Sequence, residues 1–190
     1  MFHVVECDLA LLERWREGDA VAGQALFARY FDRIYRFFDT KSDGDIDDLV
    51  QRTFLACIGA RDRFRGDASF RTFLFSIARY ELYHHYRQRR SAGVQLDLSA
   101  CSVAELVTTP RSRLARGEEH RRLLDAMCQL PVETQMLLEL HYREELDIPA
   151  LAQVFGAPSA TIRTRLHRGR RALRDLLAAG AAPPVPTADP

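Results

Sequence analysis

Apolar residues return every three to four positions along most of this chain, the period of a helix with one buried stripe, and no stretch alternates convincingly as a strand would. Leu9, Leu11, Leu12 and Trp15 predict a short first helix that stops near Gly18. Asp19 caps a second, running to about Phe38, with Ala25, Leu26, Tyr30, Ile34 and Phe37 or Phe38 turned inward. Residues 39–45 break that helix and cap the next. In the third, Ile46, Leu49, Val50, Thr53, Phe54, Cys57 and Ile58 share a face. A fourth, over residues 68–90, turns Phe70, Leu74, Ile77, Ala78 and Leu82 inward. Residues 8–90 therefore read as one helical bundle.

The pattern dissolves over residues 91–117, which read as a flexible linker with a short helix around residues 103–107. It returns at Glu118. Leu123, Leu124, Met127 and Leu130 mark one helix, and Pro131 opens another carrying Met136, Leu137, Leu140 and Tyr142. Pro149 then starts a short helix with Leu151, Ala152 and Phe155 inward, and Gly156 ends it in a left-handed conformation. Ala157 and Pro158 turn the chain, and Ser159 caps a last helix that buries Ile162, Leu166, Leu173, Leu176 and Leu177. Residues 179–190, rich in alanine and proline, are expected to be disordered. The fold class is all-α, with two small helical domains, 8–90 and 118–178, on a flexible tether.

The polar positions carry the chemistry. Opposite its apolar face the third helix shows Asp48, Gln51, Arg52 and an outward Leu55, with Asp47 alongside. A solvated face has no use for that leucine, whereas a protein-binding face does. The aspartates Asp43, Asp45, Asp47 and Asp48 also complement the helix dipole, but this leaves Gln51, Arg52 and Leu55 without a reason. On the fourth helix Phe73, Ser76, Tyr80, Tyr83 and Arg87 line one side, flanked by Arg79, Tyr86, Arg89 and Arg90. Rings interleaved with guanidinium groups suit single-stranded nucleic acid, because bases stack on the rings while arginines hold phosphates. The preceding loop holds Arg63, Phe64, Arg65 and Gly66, with Arg71 just beyond it. Phe64 either stacks on a base or turns into the core.

The last helix follows a helix-turn-helix corner and carries Arg163, Arg165, His167, Arg168, Arg170, Arg171 and Arg174 outside. Ser159, Thr161, Arg163 and Arg165 are placed to reach base edges in a major groove. Arg168, Arg170 and Arg171 are placed to meet phosphates.

Composition narrows the options. At 190 residues, with 47% hydrophobic and 28% charged, the chain is an ordinary soluble protein, and its net charge of +1 conceals local clusters of arginine. Lys41 is the sole lysine among 27 basic residues, and arginine is the better binder of phosphate and guanine. Cys7, Cys57, Cys101 and Cys128 are widely spaced, which suggests neither a disulfide framework nor a zinc site. No signal peptide and no membrane span is recognisable, so a cytoplasmic protein is expected. Lys41-Ser42 lacks the glycines of a phosphate loop. Glu81 and His85 lack the second motif of a di-iron pair, so His84 and His85 read as surface or nucleic-acid contacts. No catalytic site, metal or other cofactor is expected.

These residues also carry a resemblance. Asp47-Asp-Leu-Val-Gln-Arg-Thr-Phe54, Asp62-Arg-Phe-Arg-Gly-Asp-Ala-Ser-Phe-Arg-Thr-Phe73 and Ile77-Ala-Arg79 resemble conserved region 2 of a bacterial sigma-70 family sigma factor, most closely the extracytoplasmic-function (ECF) group. Thr161-Ile-Arg-Thr-Arg-Leu-His-Arg-Gly-Arg-Arg-Ala-Leu173 is similar to the region 4 helix that reads the promoter −35 element. The resemblance implies binding to core RNA polymerase, through the β and β′ subunits, and to promoter DNA. The stripe from Asp47 to Leu55 would grip the coiled coil of β′. Arg63, Phe64, Arg65, Arg71, Phe73, Ser76, Arg79, Tyr80, Tyr83 and Arg87 would take the melted −10 strand. Many relatives are held inactive by an anti-sigma factor, which is a further partner the resemblance suggests. Phe73 stands where tryptophan is common, Tyr80 where a small polar residue is, and Pro149 replaces an aromatic-Ala-Glu run. The rival expectation is a helix-turn-helix regulator that binds duplex DNA without core polymerase.

Overall fold

Asp19 accepts hydrogen bonds from the amides of Val21 and Ala22, two donors that a first helical turn leaves without partners, and α2 (Ala20–Asp39) grows from it. The structure, a computed structural model, describes residues 7–42, 44–89, 97–106 and 117–179. Before α2 lies α1 (Asp8–Arg16), which buries Leu11, Leu12 and Trp15. The two helices cross closely because position 23 is glycine: a Cβ there would fall 2.6 Å from the Trp15 indole. Then come α3 (Ile46–Ala60), a 3-10 turn over Arg61–Arg63, and α4 (Phe70–Arg89).

Leu26, Ile34, Phe37, Phe38, Leu49, Leu74 and Phe75 form the fully buried centre of this bundle. Each such side chain contributes roughly 1.5–3 kcal/mol by leaving water. The buried stripe on α2 is wider than expected, since Phe37 and Phe38 are both inside. It is also rotated: Ala22 and Gly23 are buried and Ala25 is exposed. The cause is position, because α2 is packed by α1, α3 and α4 together. On α3, Ile58 is exposed rather than inward, and on α4 Ile77 is only half-buried while Phe75 takes the core place.

The second half contains α5 (Val103–Leu106), α6 (Glu118–Gln129), α7 (Val132–Tyr142), α8 (Ile148–Phe155) and α9 (Ser159–Ala179). Pro131 has extended dihedrals and stands at the cap of α7 rather than inside its first turn. Tyr142 and Leu123 are both exposed. Asp147 caps α8 by accepting from the Ala150 amide at 2.8 Å, with Pro149 in the first turn. Gly156 ends α8 at φ 60°, and the Ala157 amide closes the corner onto the Ala152 carbonyl at 3.0 Å. The Pro158 carbonyl accepts from Ile162, so Ser159 is already the first helical residue of α9 and not its cap. Leu173, Leu176 and Leu177 are half-buried rather than buried.

Within the segment read as a linker, residues 97–106 are anchored. Leu98 and Val103 are fully buried, and the carbonyls of Cys101 and Leu98 accept from the Val132 and Glu133 amides at 2.9 and 3.0 Å. An isolated bridge joins Ser102 to Pro131, and no strand forms among the described residues. The disorder expected of residues 179–190 falls, from 180 onward, outside the described residues, as do Asp43 and Arg90.

The two halves dock, α8 lying against α4. At their junction the sole lysine is entirely buried. Lys41 Nζ donates to the Glu139 carboxylate of α7, to the Phe37 carbonyl at 2.8 Å and to Thr40 Oγ1 at 2.9 Å. The Tyr86 hydroxyl donates to the Lys41 carbonyl at 2.6 Å.

Candidate nucleic-acid and protein interfaces

On α3 the structure exposes Asp47, Asp48, Gln51 and Leu55 together, and Arg52 pairs with Asp48 at 2.8 Å, one turn away. Leu55 is 57% exposed. Two further apolar side chains stand out on the same helix pair: Ile58 of α3, and Phe31 of α2, whose ring lies parallel to Phe54 at 6.4 Å. Sequence reasoning missed Phe31. Its signal was a large ring set off the inward stripe of Tyr30 and Ile34. Contiguous exposed apolar groups are a common feature of surfaces that bind other proteins.

The aromatic and arginine face belongs to α4 and the loop before it. Arg63, Arg65, Tyr80 and Arg87 are exposed, and Phe73 and Ser76 are half-buried. A cleft of about 430 Å³ opens between the loop and α4, lined by Arg63, Arg65, Phe73, Ser76 and Gln153 among others. Phe64 takes the core-facing alternative: it is buried against Phe73, ring centres 4.7 Å apart, and forms the cleft wall. Arg16 holds that loop inward by donating to the carbonyls of Arg61 and Phe64. Gly66, at φ 81°, lets the loop turn outward again. A smaller cleft of about 250 Å³ lies among Arg79, Tyr80, Tyr83, His84 and Arg87.

Several of these groups already hold partners. Ser76 donates to the Thr72 carbonyl at 2.8 Å, and Arg71 to the Glu144 carbonyl at 2.9 Å. Arg79 and the Tyr83 hydroxyl both donate to one oxygen of Glu133, at 2.9 and 2.7 Å. The Arg79 guanidinium also lies 4.9 Å from the Tyr83 ring centre and 5.1 Å from that of Phe155. Burial, together with the Glu133 carboxylate, pushes the Tyr83 phenol well above its ordinary value.

Two expected surface residues are inside. His85 and Tyr86 are 4% and 3% exposed, because they stand three and four positions after Leu82 and continue its buried stripe. The spacing contained that signal, and the polar character of the two side chains hid it. His85 Nδ1 lies 3.9 Å from Asp45.

On α9 the arginines Arg163, Arg165, Arg168, Arg170 and Arg171 are all exposed, with Ser159 and Thr161 half-buried near the start of the helix. Ile162, Leu166 and Gly169 face inward. A Cβ at Gly169 would come within 2.8 Å of Thr134, so glycine lets α9 lie close on α7. Arg165 reaches the second oxygen of Glu133 at 3.3 Å. Among the described residues there is no cluster of side chains that could hold a metal, and no helix is long and apolar enough to cross a membrane.

Residues 26–92 match sigma-70 region 2 and residues 120–173 match sigma-70 region 4, so the aromatic helix and the helix-turn-helix each lie within their own match. The chain belongs to the sigma-70 family, in its ECF group. The ECF RNA polymerase sigma-E factor of Haemophilus influenzae is 26% identical over 177 residues, covering 88% of this chain and 94% of that protein. The factor of the same name from Escherichia coli is 26% identical over 175 residues, with 87% and 92% covered. Among solved structures, CnrH in complex with the cytosolic domain of CnrY aligns at a TM-score of 0.70 and 25% identity, over 93% of this chain and all of CnrH. The sigma factor RpoE of Bartonella quintana, solved with the anti-sigma factor NepR, shares the fold at a TM-score of 0.61 and 21% identity, with 80% and 94% covered. The helices of this sigma factor thus form its region 2 bundle, α2 to α4, and its region 4, α6 to α9.

Proposed function

We propose that this chain binds core RNA polymerase and directs it to promoters, reading the −35 element as duplex and the −10 element as a melted strand. The observation that carries this reading is the presence, in one chain, of a ring-and-arginine face on α4 and a helix-turn-helix presenting arginines on α9. A duplex-binding regulator needs only the second.

Asp47, Asp48, Gln51, Arg52 and Leu55, widened by Phe31 and Ile58, meet the polymerase. Arg63, Arg65, Arg71, Phe73, Ser76, Arg79, Tyr80, Tyr83 and Arg87 take the −10 strand, with Phe64 shaping the cleft from behind. Ser159, Thr161, Arg163 and Arg165 read −35 bases, while Arg168, Arg170 and Arg171 hold phosphates. The chain itself performs no catalysis, and the polymerase makes the RNA in the cytoplasm. An anti-sigma factor is a further partner, as the anti-sigma factor NepR is found bound to a sigma factor of this fold.

The test is capture of purified core polymerase by the tagged chain, followed by transcription from a promoter mapped on overexpression. Capture and initiation are expected. Duplex binding with no capture of core would replace this reading with that of a regulator.

A further inference from the structure

We propose that Arg16, which lies on α1 and outside both family matches, is a positioning residue for base selection. Its guanidinium fixes the turn after α3, so that Phe64 walls a cleft of constant shape for one base of the −10 strand. The proposal rests on the sigma-factor reading and adds the group that shapes its strand-capturing cleft.

The turn takes its cation from another helix. At the end of α3, Ala60, the last carbonyls lack intrahelical donors and carry the negative end of the helix dipole. The last turn of α3 contains no basic residue, and Arg63 reaches back only to the Gly59 carbonyl, at 3.4 Å. Arg16 supplies the charge from α1. Its Nη2 and Nε donate to the Arg61 carbonyl at 2.9 and 3.3 Å, and Nη2 also donates to the Phe64 carbonyl. One planar group thus bridges two carbonyls three residues apart and sets the curvature between them. The tie is returned: Arg61 Nη1 donates to the Trp15 carbonyl at 3.1 Å, with its guanidinium 5.0 Å from the Trp15 ring centre. Trp15 is buried against Phe27, so the α1 side of the clamp is anchored in the core.

What the clamp holds in place is the Phe64 ring. Its centre lies 5.9 Å from the Arg16 guanidinium and 4.7 Å from the Phe73 ring, and both rings line the cleft beside exposed Arg63 and Arg65. Without Arg16 the two carbonyls turn to water and residues 61–66 gain freedom, since Gly66 at the far end adds no stiffness of its own. Arginines still find phosphates after such a loosening, because a flexible side chain follows the strand. A cleft without one shape, however, cannot favour one base. Loss of Arg16 therefore lowers selectivity more than affinity.

The experiment uses the full chain as wild type, Arg16→Ala and Arg14→Ala. The last removes the same charge from the same helix, at a guanidinium that pairs with Asp19. Each is assembled with purified core polymerase and titrated with a fluorescein-labelled single strand from a mapped −10 element, intact or lacking one base at each position in turn. At the position that enters the cleft, the missing base should weaken binding about tenfold for wild type and Arg14→Ala, and only about twofold for Arg16→Ala. An equal loss in all three overturns the positioning role. Hydrogen exchange of the free chain reads the turn without DNA or polymerase: amides of residues 61–66 should exchange about tenfold faster in Arg16→Ala, with those of α4 unchanged. Unaltered exchange in the turn overturns the clamp. Should Arg16→Ala misfold, Arg61→Ala breaks the same tie from the loop side and is read in the same two ways. A wild type that captures no core, or is indifferent to every missing base, counts against the sigma-factor reading and the base-selecting role with it. Hydrogen exchange still decides whether Arg16 holds the turn.

Discussion

Arg163 is exposed on α9, next to buried Ile162, and the α8–α9 corner can deliver it to a groove floor. Replacing it with alanine is expected to reduce discrimination between correct and altered −35 sequences by roughly 1–3 kcal/mol in competition binding. Arg170→Ala should instead weaken binding to all sequences alike and lower the salt slope by about one. If both variants behave alike, the division between base and phosphate contacts on this helix is wrong. At the thiols, burial pushes Cys57 up to about 12, while Cys7 is exposed. Since the thiolate is the reactive form, the native protein at mildly alkaline pH should alkylate at Cys7 and spare Cys57 until it is denatured, as mass spectrometry of the labelled peptides would show. Burial of Cys57 was legible from its place on the apolar stripe of α3. Burial of His85 and Tyr86 was equally present in the spacing but obscured by side chains that usually face water.

Helices meet here where glycine lets them. Gly23→Ala drives a methyl group into the Trp15 indole, which cannot retreat without leaving the α1–α2 core. A loss of roughly 1–3 kcal/mol in denaturant stability is expected from such overpacking. Gly156→Ala acts differently: nothing lies near the added Cβ, and the cost is the left-handed backbone, about 1–2 kcal/mol. The two effects separate in a double variant with a large residue pared away: Trp15→Ala should relieve the first penalty and leave the second unchanged. The Gly156 corner could be read from sequence because a glycine after an apolar run has a local meaning. The Gly23 contact could not, because the ring it accommodates belongs to another helix. For the same reason Pro131 and Ser159 were each misplaced by one position, since a cap depends on where neighbouring carbonyls point.

At the scale of the whole molecule, acid should loosen the packing between the two halves, which the buried Lys41–Glu139 pair joins. Burial disfavours the Glu139 carboxylate, yet Lys41, Arg143 and the hydrogen bond from Gln135 together hold it below its ordinary 4.5. A carboxyl depressed in the folded state contributes stability that is fully present above that ordinary value and is lost as pH falls through the lower folded one. Urea unfolding should therefore show falling stability as pH drops below the ordinary 4.5 of that carboxyl, with a smaller dependence in Glu139→Gln. The sequence by itself determined the all-α class, the positions of most helices, the left-handed corner before α9 and the chemistry of the three exposed faces, because each of these is written in spacing along a single element. Tertiary structure alone decided that Lys41 is buried, that Glu133 joins Tyr83, 50 residues before it, to Arg165, 32 residues after it, and that Phe64 faces inward. Those outcomes depend on which carboxylate or ring arrives from another helix, and pairing across a fold leaves no period in the chain that makes it.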